Sequence, residues 1–80
     1  MQAEEIRQLI EAGLPGATVV VRGDDGQHFD ATVVSPDFEG QSMIRQHQMV
    51  YATLGNRMGT GEIHALGLKT YTPQEWAAAH

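Results

Sequence analysis

Four histidines and no cysteine bound the chemistry open to this chain. Without a thiol there is no thiolate nucleophile, no redox-active sulfur and no zinc-thiolate centre, so soft-metal chemistry falls to imidazole. His28 follows the turn Gly23-Asp24-Asp25-Gly26, and His64 follows a loop containing Gly55, Gly59 and Gly61, each at the start of a strand-like stretch. Strand starts present side chains to exposed ligands, although on residue type alone a solvated or hydrogen-bonded histidine is the commoner reading. His47, between Ile44 and Val50 on the apolar side of a helical pattern, reads as a hydrogen-bonded core or boundary residue. His80, the last residue, reads as mobile.

Hydrolytic catalysis needs a nucleophile beside a base, or paired acids in a cleft. Neither occurs in a recognisable setting. Ser42 stands where a helix begins and reads as its cap, and Ser35 has a turn explanation. Asp24 and Asp25 read as solvated residues of a hairpin tip. Two Gly-x-x-Gly stretches, Gly13 to Gly16 and Gly23 to Gly26, are poor phosphate cradles: Pro15 removes a donor from the first, and Asp24 and Asp25 put negative charge in the second. Both read as turns.

The elements that position these residues follow from periodicity. Ile6, Leu9 and Ile10 recur at helical spacing over Ala3 to Gly13. Ala17 to Arg22 is β-branched, and in His28 to Ser35 Phe29, Ala31 and Val33 alternate with Asp30 and Thr32, predicting an antiparallel hairpin. A central helix is expected from Met43, Ile44, His47, Val50, Tyr51, Leu54 and Met58. A third strand is expected over Glu62 to Lys69, buried on both faces because of its mixed apolar content. Thr72, Pro73 and Glu75 then supply an N-cap, a first-turn proline and a capping-box acid for a terminal helix carrying Trp76. The fold class is α+β, in the order α-β-β-α-β-α, as one domain over residues 1–80.

Composition narrows the partners. With ten acids against five bases the formal charge is −5, which repels polyanions at long range and disfavours nucleic acid as the main partner. No apolar run approaches the roughly 20 residues of a membrane span, and the N-terminal stretch lacks signal-peptide character, so a cytoplasmic protein is expected.

Three stretches taken together carry a resemblance: Phe38-Glu39-Gly40-Gln41-Ser42; His47-Gln48-Met49-Val50-Tyr51-Ala52-Thr53-Leu54; and Ile63-His64-Ala65-Leu66 through Lys69-Thr70-Tyr71-Thr72-Pro73-Gln74-Glu75-Trp76. The combined F-x-G-x-S, V-Y-x-x-L and I-H-A-L…Y-T-P-x-E-W pattern resembles the BolA-like proteins over nearly the whole chain. With Gly26-Gln27-His28-Phe29 in the hairpin, the nearest branch is the short bacterial YrbA/IbaG type. The resemblance implies a class II KH-like domain with a three-stranded mixed sheet. It also implies partnership with a monothiol glutaredoxin, the two proteins holding a [2Fe-2S] cluster between them. In that arrangement His64 and His28 would ligate iron, and the thiolates would come from the glutaredoxin cysteine and glutathione. No cluster is expected in the isolated chain, which is expected to be monomeric or to self-associate weakly.

The rival implied by the family is transcriptional regulation through DNA binding. Longer members of that kind have a basic central helix near its histidine, whereas here Arg45 stands with Gln46 and Gln48. Phosphate contacts come mainly from Lys and Arg, which makes this helix a poor DNA reader. Arg45, Arg57 and Lys69 read as scattered solvated charges in preference to a small basic patch, which could equally dock an acidic partner or glutathione.

Overall fold

Ile6 and Ile10 fall on one side of a helix and are fully buried on α1, Ala3–Gly13, in the computed structural model, which describes residues 1–23 and 25–80. On the opposite side Arg7 bridges Glu4 and Glu11, and the Glu5 carboxylate accepts from the backbone N–H of Gln2. The hairpin forms as expected from β1, Thr18–Arg22, and β2, His28–Val34, with Thr18 opposite Val34 and Arg22 opposite Asp30.

The third strand, β3, runs over Ala65–Tyr71 and pairs parallel to β2, which therefore lies in the middle of a three-stranded mixed sheet. Parallel neighbours require a crossover. Here it comprises a 3₁₀ turn at Pro36–Phe38, α2 over Met43–Thr53, and the loop that follows. Ser42 caps α2 by accepting from the Arg45 N–H, and Ser35, itself buried, accepts from the Asp37 N–H at the 3₁₀ turn. One core joins α1, α2 and the sheet through residues such as Ile10, Val50, Phe29 and Val33.

Two expectations are corrected. Glu62, Ile63 and His64 precede β3, and the strand is covered on one face only: Leu66 is buried while Ala65, Gly67 and Lys69 are exposed. The small residues Ala65 and Gly67 lie on the face away from the core, where the Asp30 side chain occupies the space a Cβ on Gly67 would take. The second correction concerns α2. Met43 and Ile44 are 68% and 73% exposed and Tyr51 is 37% exposed, whereas Gln46 is only 9% exposed. The buried stripe is Gln46, Val50 and Leu54, and His47 at its margin is half-buried.

Gln46 can face inward because its amide is fully used. Its Nε2 donates to the carbonyls of Phe38 (3.2 Å) and Gln41 (3.0 Å), and its Oε1 accepts from the Thr70 hydroxyl (2.6 Å). A single polar side chain thus ties α2 to the preceding loop and to β3, satisfying groups that would be costly to bury unpaired.

The terminal helix α3, Pro73–Ala79, starts at the expected cap, with Glu75 and Thr72 exchanging side-chain and backbone bonds. Trp76 packs edge-on against Tyr71 with centroids 5.2 Å apart. The His80 ring stacks on Trp76 with centroids 3.5 Å apart. Among the described residues no helix is long and apolar enough to cross a membrane.

The inverted polarity of α2 has a measurable consequence. Gln46→Ala leaves the Thr70 hydroxyl and the Gln41 carbonyl without that partner and is expected to cost about 1–3 kcal/mol. Ile44→Ser, at an exposed position, is expected to stay within about 0.5 kcal/mol of the parent. Urea unfolding of the two variants checks this, and a larger loss for Ile44→Ser would show that the helix is rotated from the orientation described.

Candidate functional site

The site begins in the loop that joins β1 to β2. Asp25 Oδ1 accepts from the backbone N–H groups of Gln27 (2.9 Å) and His28 (2.8 Å), and Gly26 supplies the positive φ of 75° that the turn requires. The second carboxylate oxygen, Oδ2, lies 2.8 Å from His28 Nδ1. Bonds from His28, backbone first and then side chain, together with the Gln27 N–H, hold the Asp25 carboxyl well below the usual carboxylate range. Asp25 is exposed, as a turn residue should be, yet it also orients a histidine. Asp24, the other acid expected at this tip, lies outside the described residues.

The second half of the site is the loop after α2. Arg57 organises it: Nη1 donates to the Leu54 carbonyl (3.0 Å), and the Arg57 carbonyl accepts from the Ile63 N–H (3.3 Å). Ile63 is fully buried and anchors the chain immediately before His64. The backbone N–H groups of His64 and Ala65 then both donate to the carbonyl of Gln27, each at 3.1 Å. That shared acceptor binds the start of β3 to the hairpin loop, in register with His28 opposite Ala65.

The result is two exposed imidazoles side by side, with ring centroids 6.5 Å apart and planes at 69°. No hydrogen bond among the described residues engages the His64 ring or His28 Nε2, so nitrogen lone pairs remain available for a metal. The donor set suits part of a metal centre: among the described residues no cluster of three or more His, Cys, Asp or Glu is arranged to hold an ion. Two imidazoles fit the nitrogen half of a mixed nitrogen and thiolate iron-sulfur site, with the thiolates supplied from outside the chain.

The remaining residues considered from sequence lie elsewhere. His80 packs on Trp76 and Tyr71, and His47 sits half-buried on α2. Arg45 is exposed on α2, Lys69 is exposed on β3, and Arg57 is committed to Leu54 with Glu62 3.9 Å away. These cations belong to separate elements. Sequence reasoning missed the Asp25–His28 bond and the Gln27 acceptor. The first had a signal, since an Asp before Gly at a turn commonly accepts from the amides two and three residues on, which brings the third side chain within reach. The second depends on parallel strand register, for which the sequence carries no local mark.

Comparison with known proteins shows a match to the family model described as BolA-like protein over residues 12–75. The chain is 38% identical over 77 residues to the acid stress protein IbaG of Escherichia coli K12, covering 96% of this chain and 90% of that protein. It superposes on a BolA homologue from Coxiella burnetii with a TM-score of 0.85 at 46% identity, covering 96% of this chain and 97% of the other. The solution structure of yeast Fra2 is similar at a TM-score of 0.77 and 31% identity, covering 96% and 85% of the two chains.

The electrostatics of Asp25 give a pH signature. Its folded-state pKa lies below the unfolded value of about 3.9, so at acid pH the unfolded chain binds the proton more readily. The contribution of Asp25 to stability is therefore present above about pH 4 and is lost as the pH falls through its depressed folded value. Between about pH 5 and 3 the parent is expected to lose stability more steeply than Asp25→Ala. Parallel curves in urea titrations over that range would show that the turn bonds do not persist in solution.

Proposed function

The chain belongs to the BolA-like protein family, and from that premise we propose that it is a non-enzymatic partner of a monothiol glutaredoxin that shares one [2Fe-2S] cluster through His64 and His28. The observation that carries this reading is the pairing of two exposed imidazoles where the starts of β2 and β3 are tied together by the Gln27 carbonyl. A cysteine-free chain has no thiolate to contribute to such a centre, and neutral imidazole is a known iron ligand. Glutathione and the partner's cysteine would supply the thiolates. Replacing thiolate by imidazole raises the reduction potential of a cluster, which suits cluster trafficking or the reporting of iron status.

The chain's own tasks are to present the two rings at a set spacing and to keep them accessible. Ile63 and the double hydrogen bond to Gln27 perform the first, and solvent exposure of both rings performs the second. This work belongs in the cytoplasm, where reduced thiols and glutathione are plentiful. Binding to DNA is the weaker reading: the charge is −5, and the three candidate cations lie on separate elements with Arg57 already engaged.

Co-expression with a monothiol glutaredoxin in the presence of glutathione is expected to give a coloured heterodimer carrying a [2Fe-2S] cluster, while the chain alone stays colourless. His64→Ala should lower the iron content or alter the visible spectrum more than His47→Ala does. The opposite ranking would remove His64 as a ligand, and a stable but colourless heterodimer would reduce the protein to a docking adaptor.

A further inference from the structure

Metal-bound histidines usually donate their second ring N–H to a carboxylate or carbonyl, which fixes the tautomer and increases the basicity of the ligating nitrogen. His28 has such a partner in Asp25, whereas His64 has none among the described residues. We propose that Asp25 is a positioning residue for His28: by accepting a hydrogen bond from Nδ1–H it fixes the tautomer that leaves the Nε2 lone pair free to ligate iron. This rests on the shared-cluster reading above and adds to it a division of labour, with the His28 tautomer set by this chain's own carboxylate and that of His64 not set by a described side chain.

The bonding pattern requires this tautomer. An ionised carboxylate only accepts hydrogen bonds, so the 2.8 Å contact between Asp25 Oδ2 and His28 Nδ1 places the hydrogen on Nδ1. A neutral imidazole has one ring N–H, and Nε2 therefore carries the lone pair. The carboxylate cannot easily turn away, because its other oxygen is held by the backbone N–H groups of Gln27 and His28. One acid thus shapes the turn with one oxygen and sets the ring with the other.

Asp25→Asn separates the two tasks. Its single amide oxygen can keep the backbone bonds of the turn, which leaves the amide NH₂ facing Nδ1. A donor at that place makes Nδ1 the acceptor and drives the ring hydrogen to Nε2, where it blocks ligation. Long-range proton–nitrogen NMR spectra of the isolated, histidine-labelled chain, taken well above the ordinary histidine pKa of about 6.5, read the tautomers directly. His28 is expected as the Nδ1–H form in the parent and as the Nε2–H form in Asp25→Asn, with His64 unchanged as internal control. An Nε2–H His28 in the parent, or an unchanged His28 in the variant, overturns the proposal without reference to any metal.

The second arm uses the glutaredoxin heterodimer. Loss of an outer carboxylate partner typically weakens metal binding about 10–100-fold, and cluster loss from the Asp25→Asn complex to a competing chelator should be faster by a factor in that range. If His28→Ala and His64→Ala destabilise the cluster but Asp25→Asn matches the parent, the shared-cluster reading stands and the role of Asp25 falls. If none of the three differs from the parent, or the parent complex holds no cluster, both fall together.

Discussion

The carbonyl of Gln27 accepts two backbone N–H groups, those of His64 and Ala65, and the site depends on that junction. It lies at the point where the hairpin loop meets the first residue of a parallel strand. A one-residue slip of β3 against β2 would turn Ala65 to the core face and Leu66 to solvent, a change opposed by the buried side chains of Leu66 and Phe29. Register is therefore set by the core, and the Gln27 junction converts it into a fixed spacing of two histidine backbones. The rings themselves stay exposed, so the core gains nothing from them and they remain available to a partner.

The crossover that makes the parallel pair possible is held by polar bonds as much as by apolar packing. Gln46 clamps α2 to the loop before it and to Thr70 in β3, while Arg57 closes the far end of the helix on the Leu54 carbonyl and anchors the loop that leads to Ile63. The histidine of that loop thus follows a buried isoleucine by one residue. An anchored backbone next to an exposed donor favours a shared metal site, since ordering a loose segment on binding would cost conformational entropy.

Much of this arrangement was legible in the sequence. Alternation in Phe29, Ala31 and Val33 announced β2, the Thr72-Pro73-x-Glu75 signature announced α3, and the combined motifs pointed to the family that comparison identifies. What failed were readings that treat hydrophobicity as burial. Ile44 and Met43 lie on the helical wheel beside true core positions, and nothing local says that the buried stripe passes instead through a glutamine whose partners lie 5, 8 and 24 residues away. The start of β3 was misplaced for a related reason: Ile63 is apolar and buried, yet it serves as an anchor in the loop and not as a strand residue. The pairing of His28 with His64 could be suspected from two strand starts, but only parallel register makes them neighbours.

The central claim, that histidine nitrogen from this chain bonds to iron in a cluster shared with glutaredoxin, is tested most directly by pulsed paramagnetic resonance of the reduced heterodimer. With ¹⁵N-histidine incorporated in this chain alone, nitrogen hyperfine couplings of directly bound imidazole should be present and should be lost or altered in His64→Ala. A reduced cluster that shows no coupling to labelled histidine would mean that all its protein ligands come from elsewhere, and would contradict the account.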